Sequence, residues 1–383
     1  MQTPATPTAT LSEVDSGRAR VRAVLLASAP ALGVYVASRF FVLMILALVA
    51  RVHHRALGHY LTRWDSRWYL EIARHGYASA VPHGHGAAAQ VDLGFFPLLP
   101  ILIRLTHALT QLSYPLAGEV VTFGAGAAAA VGVWWMVREH YSETVATRTT
   151  ALIFFSPAAV VFSFVYSEGL VIALASVTLI ALGRRRWVLA GVVAAVATAC
   201  DPVASAIIVP CAVAAYTDWR RFRDARAWWA PVLAPLGIIV FFSFLWWHTG
   251  SPFSWYLAQR AGWQAGPMGT GVFYALYRLS VHGVHDLNSL FKSAALVGTI
   301  GVAVVWRRLR PPLVWSVYAA AVLVFGFLSP IVAISPRLLL RGFPLFAFAA
   351  AGVSRSRFYV IVTLSAAALC VLCVASTTIT WTP

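Results

Sequence analysis

Arg63-Trp64-Asp65-Ser66-Arg67-Trp68-Tyr69-Leu70-Glu71-Ile72-Ala73-Arg74-His75-Gly76-Tyr77 is the stretch whose reading decides the fold. It occupies the first long polar gap of an otherwise very apolar chain. At helical spacing Asp65, Tyr69, Ile72 and Gly76 share one face, and Arg63, Arg67, Leu70 and Arg74 share another. Trp64, Trp68 and Tyr69 are residue types that settle at a membrane–water boundary, with the ring buried and the polar atom wet. The stretch therefore reads as a short helix lying on a membrane surface, closed by Gly76, with an acid near its start. An interfacial anchor carrying a solvated charge would use the same residues, and composition does not separate that reading from a functional one.

Working outward, the chain of 383 residues is 60% hydrophobic and 11% charged. No soluble fold of that size hides so much apolar surface, so the fold class is all-α, a polytopic integral membrane protein. The net charge of +16 comes almost wholly from arginine, with Lys292 the only lysine. Nucleic-acid binding would want basic residues interleaved with exposed aromatics in a polar domain. Here they form short clusters between apolar runs, the pattern of membrane orientation, and no nucleic-acid partner is expected. The four cysteines do not suggest a disulfide framework. Cys370 and Cys373 have CxxC spacing inside an apolar run and read as packed helix residues. Residues 1–21 read as a disordered cytoplasmic tail, and 22–383 as a single transmembrane domain.

The first apolar run, 22–50, is too long for a signal-peptide core and is expected to stay as a span. The first outer loop covers 51–93. Further apolar segments lie at about 94–112, 117–137, 151–166, 168–183, 187–199, 202–216 and 228–247. A second polar loop, 248–286, precedes segments at 287–306, 311–328, 337–350 and 358–376. Arginine clusters at 184–186, 220–226, 307–310 and 355–357 can all face the cytoplasm if each interval between them is a hairpin. Counting from the N-terminus then gives one crossing too many. Arg104 and two prolines weaken 94–112 as a full span, so it is expected to dip in without crossing. About eleven transmembrane helices result, with short amphipathic helices in the first outer loop and the C-terminus outside.

That topology collects Asp65, Glu71, Asp92, Glu168, Asp201 and Asp286 on the outer face, with Arg63, Arg337 and Arg341. A charge at the bilayer centre costs about 2.5–3.5 kcal/mol, so charges gather at helix ends or line cavities. Tyr166-Ser167-Glu168-Gly169 puts a carboxylate at a break between two apolar stretches, as a cavity residue or a helix-capping turn. Asp201-Pro202 is a good helix start, with capping as its simpler role. Arg337 and Arg341, at i and i+4 on an apolar helix start, suit an anionic group. A pair snorkelling to lipid headgroups would look the same. His83-Gly84-His85-Gly86 lacks acidic or cysteine partners at ligand spacing, so no metal is expected.

Trp64-Asp65 followed by Tyr69, Ile72-Ala73 and Gly76-Tyr77, then Phe95-Phe96-Pro97 with Pro100, resembles the PIG-V family of GT-C glycosyltransferases. Phe155-Ser156-Pro157-Ala158 with Phe162, Ser163 and Tyr166-Ser167-Glu168 resembles that family's next block, and Ser335 to Pro344 its C-terminal arginine motif. The chain departs from eukaryotic members at Ser66-Arg67-Trp68, where an acid and a histidine are usual, and at Cys200-Asp201-Pro202. The resemblance implies a GT-C-type membrane enzyme in a bacterial plasma membrane, with its site on the extracytoplasmic face. It would transfer mannose, with inversion, from polyprenyl-phosphate-mannose to a lipid-linked or glycan acceptor, without cofactor. Asp65 would be the catalytic base. Arg63, Trp64, Tyr69, Glu71, His75, Tyr166, Glu168, Asp201, His285, Arg337 and Arg341 would bind substrate, the last two stabilising the departing phosphate. Transfer of another polyprenyl-linked sugar is the nearest alternative. A lipid or sugar transporter is another, although the ionisable residues concentrate at helix ends rather than mid-span.

Overall fold

The computed structural model describes residues 26–81, 84, 86–263, 270–283, 286–329 and 334–378, with backbone alone at 270–272 and 307. The expected N-terminal tail, the His83 and His85 pair and His285 lie outside the described residues.

All regular structure among the described residues is helical. Six helices are long and apolar enough to cross a membrane: Ala29–Val52, Tyr114–Arg138, Pro202–Phe222, Ala225–Thr249, Leu287–Trp306 and Arg355–Ser376. Four further apolar helices, Leu98–Thr110, Glu168–Gly183, Trp187–Thr198 and Leu313–Leu328, are shorter. At 1.5 Å per residue such helices reach roughly 18–24 Å, less than the ~30 Å hydrocarbon layer, so each alone falls short of a full crossing. Among the described residues six helices thus meet the length of a full span, against the eleven or so crossings expected.

The breaks have local causes. The apolar stretch 151–166, expected as one segment, stops as a helix at Phe154 and continues as a short 3-10 turn, Ala159–Ser163. Pro157 cannot donate to a helix through this point, which frees carbonyls in an apolar surrounding. Arg39, buried within the first span, supplies the missing donors. Its guanidinium bonds the carbonyl oxygens of Ala159 (2.8 Å) and Phe154 (3.3 Å) and the Ser163 hydroxyl (2.7 Å). Its charge also lies beside the Tyr35 and Phe162 rings. Similarly, 337–350 divides into Pro336–Arg341 and Pro344–Gly352. Arg104 weakens Leu98–Thr110 as a span for a visible reason: its Nε bonds the Ala73 carbonyl at 2.7 Å, tying this helix to the surface helix Asp65–His75.

The main core gathers Tyr35, Trp134, Phe154, Phe162, Tyr166, Trp315 and Phe343 from helices distant in sequence. Tyr114–Arg138 and Glu168–Gly183 approach so closely that a Cβ on Gly169 would fall 2.8 Å from the Gly126 backbone nitrogen. Small residues at such crossings let membrane helices pack by contact. Gly169 also adjoins Glu168, so this crossing fixes where that carboxylate sits.

Gly169→Ala is expected to destabilise the protein by about 1–3 kcal/mol, because the obstructing atoms are backbone and cannot swing aside. Thermal unfolding in detergent measures it. Gly124→Ala is the control, since a Cβ there meets nothing within 4 Å.

Candidate functional site

Three acids stand at the starts of three helical segments. Asp65 is the first residue of Asp65–His75, Glu168 the first of Glu168–Gly183, and Asp201 caps the 3-10 segment Pro202–Ile207. A helix start offers positive potential and unpaired N–H groups, which favours a carboxylate there. The fourth component is the short helix Pro336–Arg341, whose start is capped by the Ser335 hydroxyl accepting from the Leu338 amide at 3.2 Å.

Arg337 and Arg341 join the three acids into one alternating chain. Arg337 Nη1 donates to Asp65 Oδ2 at 2.8 Å, while its Nε bonds Glu168 Oε1. Arg341 Nη2 lies 3.0 Å from the same Glu168 oxygen and 2.7 Å from Asp201 Oδ2. Glu168 is 0% exposed, whereas the Asp65 side chain is 28% exposed. The Arg337 guanidinium lies 4.6 Å from the Tyr166 ring centre, and the Tyr166 hydroxyl accepts the Asp65 amide at 3.3 Å. Asp201 performs both roles that its sequence context allows: Oδ1 caps the Val203 amide at 2.8 Å, and Oδ2 takes Arg341.

This differs from the sequence expectation for the arginines. Three carboxylates face two guanidinium groups, so the cluster carries an excess of one negative charge. Both arginines are committed to carboxylates, and Arg341 is 4% exposed. Their evident work is to hold the acids in place. Asp65 Oδ1 makes no hydrogen bond within the described residues, and the Asp65 side chain borders open space.

That space is a cavity of about 1080 Å³ lined by Asp65, Asp201, Arg337 and Arg341 among others. Arg63, Trp64 and Tyr69 also line it. Arg63 is engaged with the Thr377 carbonyl, and the Trp64 indole N–H bonds the Ser376 carbonyl at 2.9 Å, so the end of Arg355–Ser376 anchors this loop. Trp64 has φ 57° and ψ −128°, a region that costs a side-chain-bearing residue about 1–3 kcal/mol. Its indole anchor holds the strained turn that delivers Asp65. Tyr69 is buried with its hydroxyl 3.3 Å from Ser167.

Glu71 and His75 are not brought to the cavity. They stand exposed on another face of the helix, 3.9 Å from each other. The cavity is also lined by residues outside the expected substrate-binding set. Trp68, Phe95 and Trp263 pack ring against ring, with Trp68–Phe95 stacked at 5.9 Å. Arg278, Asn288 and Lys292 line it as well. Apolar-run analysis assigns Lys292 to a span, and only its being a lone lysine singled it out.

Asp92, the other loop acid, belongs to the scaffold. Its carboxylate is buried and accepts the Ala78 amide at 3.0 Å. Burial raises its pKa above the ordinary aspartate value, partly opposed by that amide. A raised folded-state value means the acid form is favoured by folding. Its stabilising contribution is present below the unfolded pKa and lost as pH rises through the folded one. Asp92→Asn keeps the acceptor without the charge. It is expected to melt at higher temperature than the native protein near neutral pH, the advantage closing as pH falls toward the unfolded aspartate value of about 3.9. An advantage independent of pH would contradict this assignment.

Comparison with known proteins adds an independent line. Residues 37–226 match the model of the family described as mannosyltransferase (PIG-V). No curated protein matches the sequence. Among solved structures, the chain is similar to ArnT from Cupriavidus metallidurans bound to undecaprenyl phosphate, with TM-score 0.51, 16% identity, and 77% of this chain and 56% of that chain covered. The apo state of the same protein gives TM-score 0.43 and 18% identity, over 80% and 57%. The chain thus spans little more than half the length of the solved protein it matches, and the likeness is one of fold. The chain is thus similar to PIG-V mannosyltransferases over residues 37–226, and to the solved ArnT structure in its helical fold.

Proposed function

We propose that this protein is an integral membrane glycosyltransferase that moves mannose from polyprenyl-phosphate-mannose to a hydroxyl of a lipid-linked or glycan acceptor. The observation that carries the reading is a cavity-lining carboxylate, Asp65, with one oxygen held by Arg337 at 2.8 Å and the other without a hydrogen bond to any described residue. Asp201 and Asp286, which also line the cavity, have both oxygens engaged. The PIG-V match supports mannose, and the undecaprenyl phosphate bound by the structurally similar ArnT supports a polyprenyl phosphate carrier. A bacterial plasma membrane and an extracytoplasmic site follow the same reading.

The chemistry needs one base. An acceptor hydroxyl oxygen attacks the anomeric carbon as its proton passes to Asp65 Oδ1. The bond from that carbon to the phosphate oxygen breaks, and its electron pair leaves with polyprenyl phosphate. Glycosidases need a second carboxyl group to protonate a poor leaving group. A phosphate leaves as an anion and needs only positive charge nearby. Attack opposite the leaving phosphate inverts the anomeric centre, turning a β-linked donor into an α-mannoside. Arg337 fixes the base, and Glu168 fixes Arg337; Arg341 and Asp201 complete the support behind them.

Asp65→Asn is expected to reduce transfer by about 10²–10⁴-fold, the usual share of a positioned general base. The fold should survive, because Arg337 keeps Glu168. Glu71→Gln, exposed and outside the cavity, should leave activity within about twofold. The assay is transfer from synthetic polyprenyl-phosphate-mannose in detergent, with melting temperature recorded for each variant. Near-native activity in Asp65→Asn would sink the base assignment.

A further inference from the structure

The phosphate of such a donor has to lie against positive charge, and the arginine pair is already matched with carboxylates. The other cations at the cavity are mostly engaged too. Arg63 holds the Thr377 carbonyl, Arg67 bonds Gln90 at 2.9 Å, and Arg278 pairs with Asp286 at 2.9 Å. Lys292 is different. It lines the cavity from the helix Leu287–Leu309, is half-buried, and makes no hydrogen bond or ion pair with any described residue.

Its nearest acid in sequence, Asp286, acts on it only through space, without an ion pair or hydrogen bond. Asp286 caps the same helix, accepting the Ser289 amide and hydroxyl at 3.1 Å each, and gives its other interaction to Arg278. Six residues separate Asp286 from Lys292, which puts them on different faces of a helix. Asn288, at i−4, shares the face of Lys292, lines the same cavity, and likewise has no hydrogen bond to a described residue. An ammonium and an amide N–H₂ therefore stand one turn apart, uncommitted, on the wall of a cavity that also holds Asp65.

A lone unpaired cation in an apolar helix is costly and persists where something else uses it. Three donors on an ammonium suit a phosphate's oxygens as a compact point charge. We infer that Lys292, assisted by Asn288, is the seat of the donor's phosphate, leaving the arginine pair to position carboxylates. This rests on the polyprenyl-phosphate reading above. It divides the cavity into a wall that anchors the leaving group and a wall that carries the base.

Binding separates the inference from the reading beneath it. Full-length protein in nanodiscs is titrated with undecaprenyl phosphate and, separately, with undecaprenol, for the native chain and for Lys292→Met, Lys292→Arg and Asn288→Ala. The native chain should prefer the phosphate. Lys292→Met should lose about 10- to 100-fold in phosphate affinity, the worth of one charge-assisted contact, with undecaprenol binding unchanged. Lys292→Arg should restore most of it, and Asn288→Ala should lose less than Lys292→Met. Because it removes an unpaired charge, Lys292→Met should melt no lower than the native protein. A native chain without phosphate preference would defeat the donor reading itself. A native preference that survives intact in Lys292→Met would defeat only the assignment of Lys292.

Discussion

The structure depends on one buried chain of alternating charge, Asp65–Arg337–Glu168–Arg341–Asp201. Its members come from four segments distant in sequence, and Glu168 at its centre is sealed from solvent. Removing one partner from such a network typically costs about 3–5 kcal/mol, because an uncompensated charge is left behind. The network is thus a poor contributor of net stability and a strong determinant of position. Helices that could slide along apolar faces are held in register where their acids and arginines meet.

This constraint accounts for the broken helices. A continuous span passing through residues 154–168 would carry Glu168 into the middle of a helix, with neither a helix start beneath it nor room beside the arginines. The break frees backbone carbonyls, and Arg39 satisfies them from the first span at 2.7–3.3 Å. The same logic divides Pro336–Arg341 from Pro344–Gly352, and it tolerates the strained Trp64 immediately before Asp65. Irregular backbone at membrane depth is sustained only where protein groups satisfy it, and Arg39 is such a group here.

How much of this was legible in the sequence follows from what is scarce in it. Thirteen acids in a chain this apolar are conspicuous, and Asp65, Glu168 and Asp201 were each noticed at a polar break. The spacing of Arg337 and Arg341 showed that they share a face, but not what they face. A pairing across more than 130 residues leaves no local pattern, so a phosphate looked as apt a partner as two carboxylates. Glu71 and His75 were gathered with Asp65 by proximity in sequence, yet six and ten helical residues turn them to a different face. Arg39 and Lys292 were absorbed into apolar runs, since a hydropathy window averages a single charge away. The same averaging conceals a helix break, which is why 151–166 read as one segment.

The charge distribution of the cavity also bears on the direction of the proposed reaction. In the resting state Asp65 shares Arg337 with Glu168, and the cluster holds one negative charge in excess. As the acceptor's proton reaches Asp65, that excess is removed and Arg337 is left facing one carboxylate instead of two. At the same moment negative charge grows on the departing phosphate across the cavity. The cluster as a whole therefore turns less negative just when an anion is forming beside Lys292, without any movement of the guanidinium groups. Preoriented groups of this kind stabilise a transition state more than the ground state, because they need no reorganisation as charge shifts. Proton transfer makes the cluster one unit more positive as the phosphate departs, and so ties the breaking of the glycosyl–phosphate bond to the arrival of an acceptor hydroxyl.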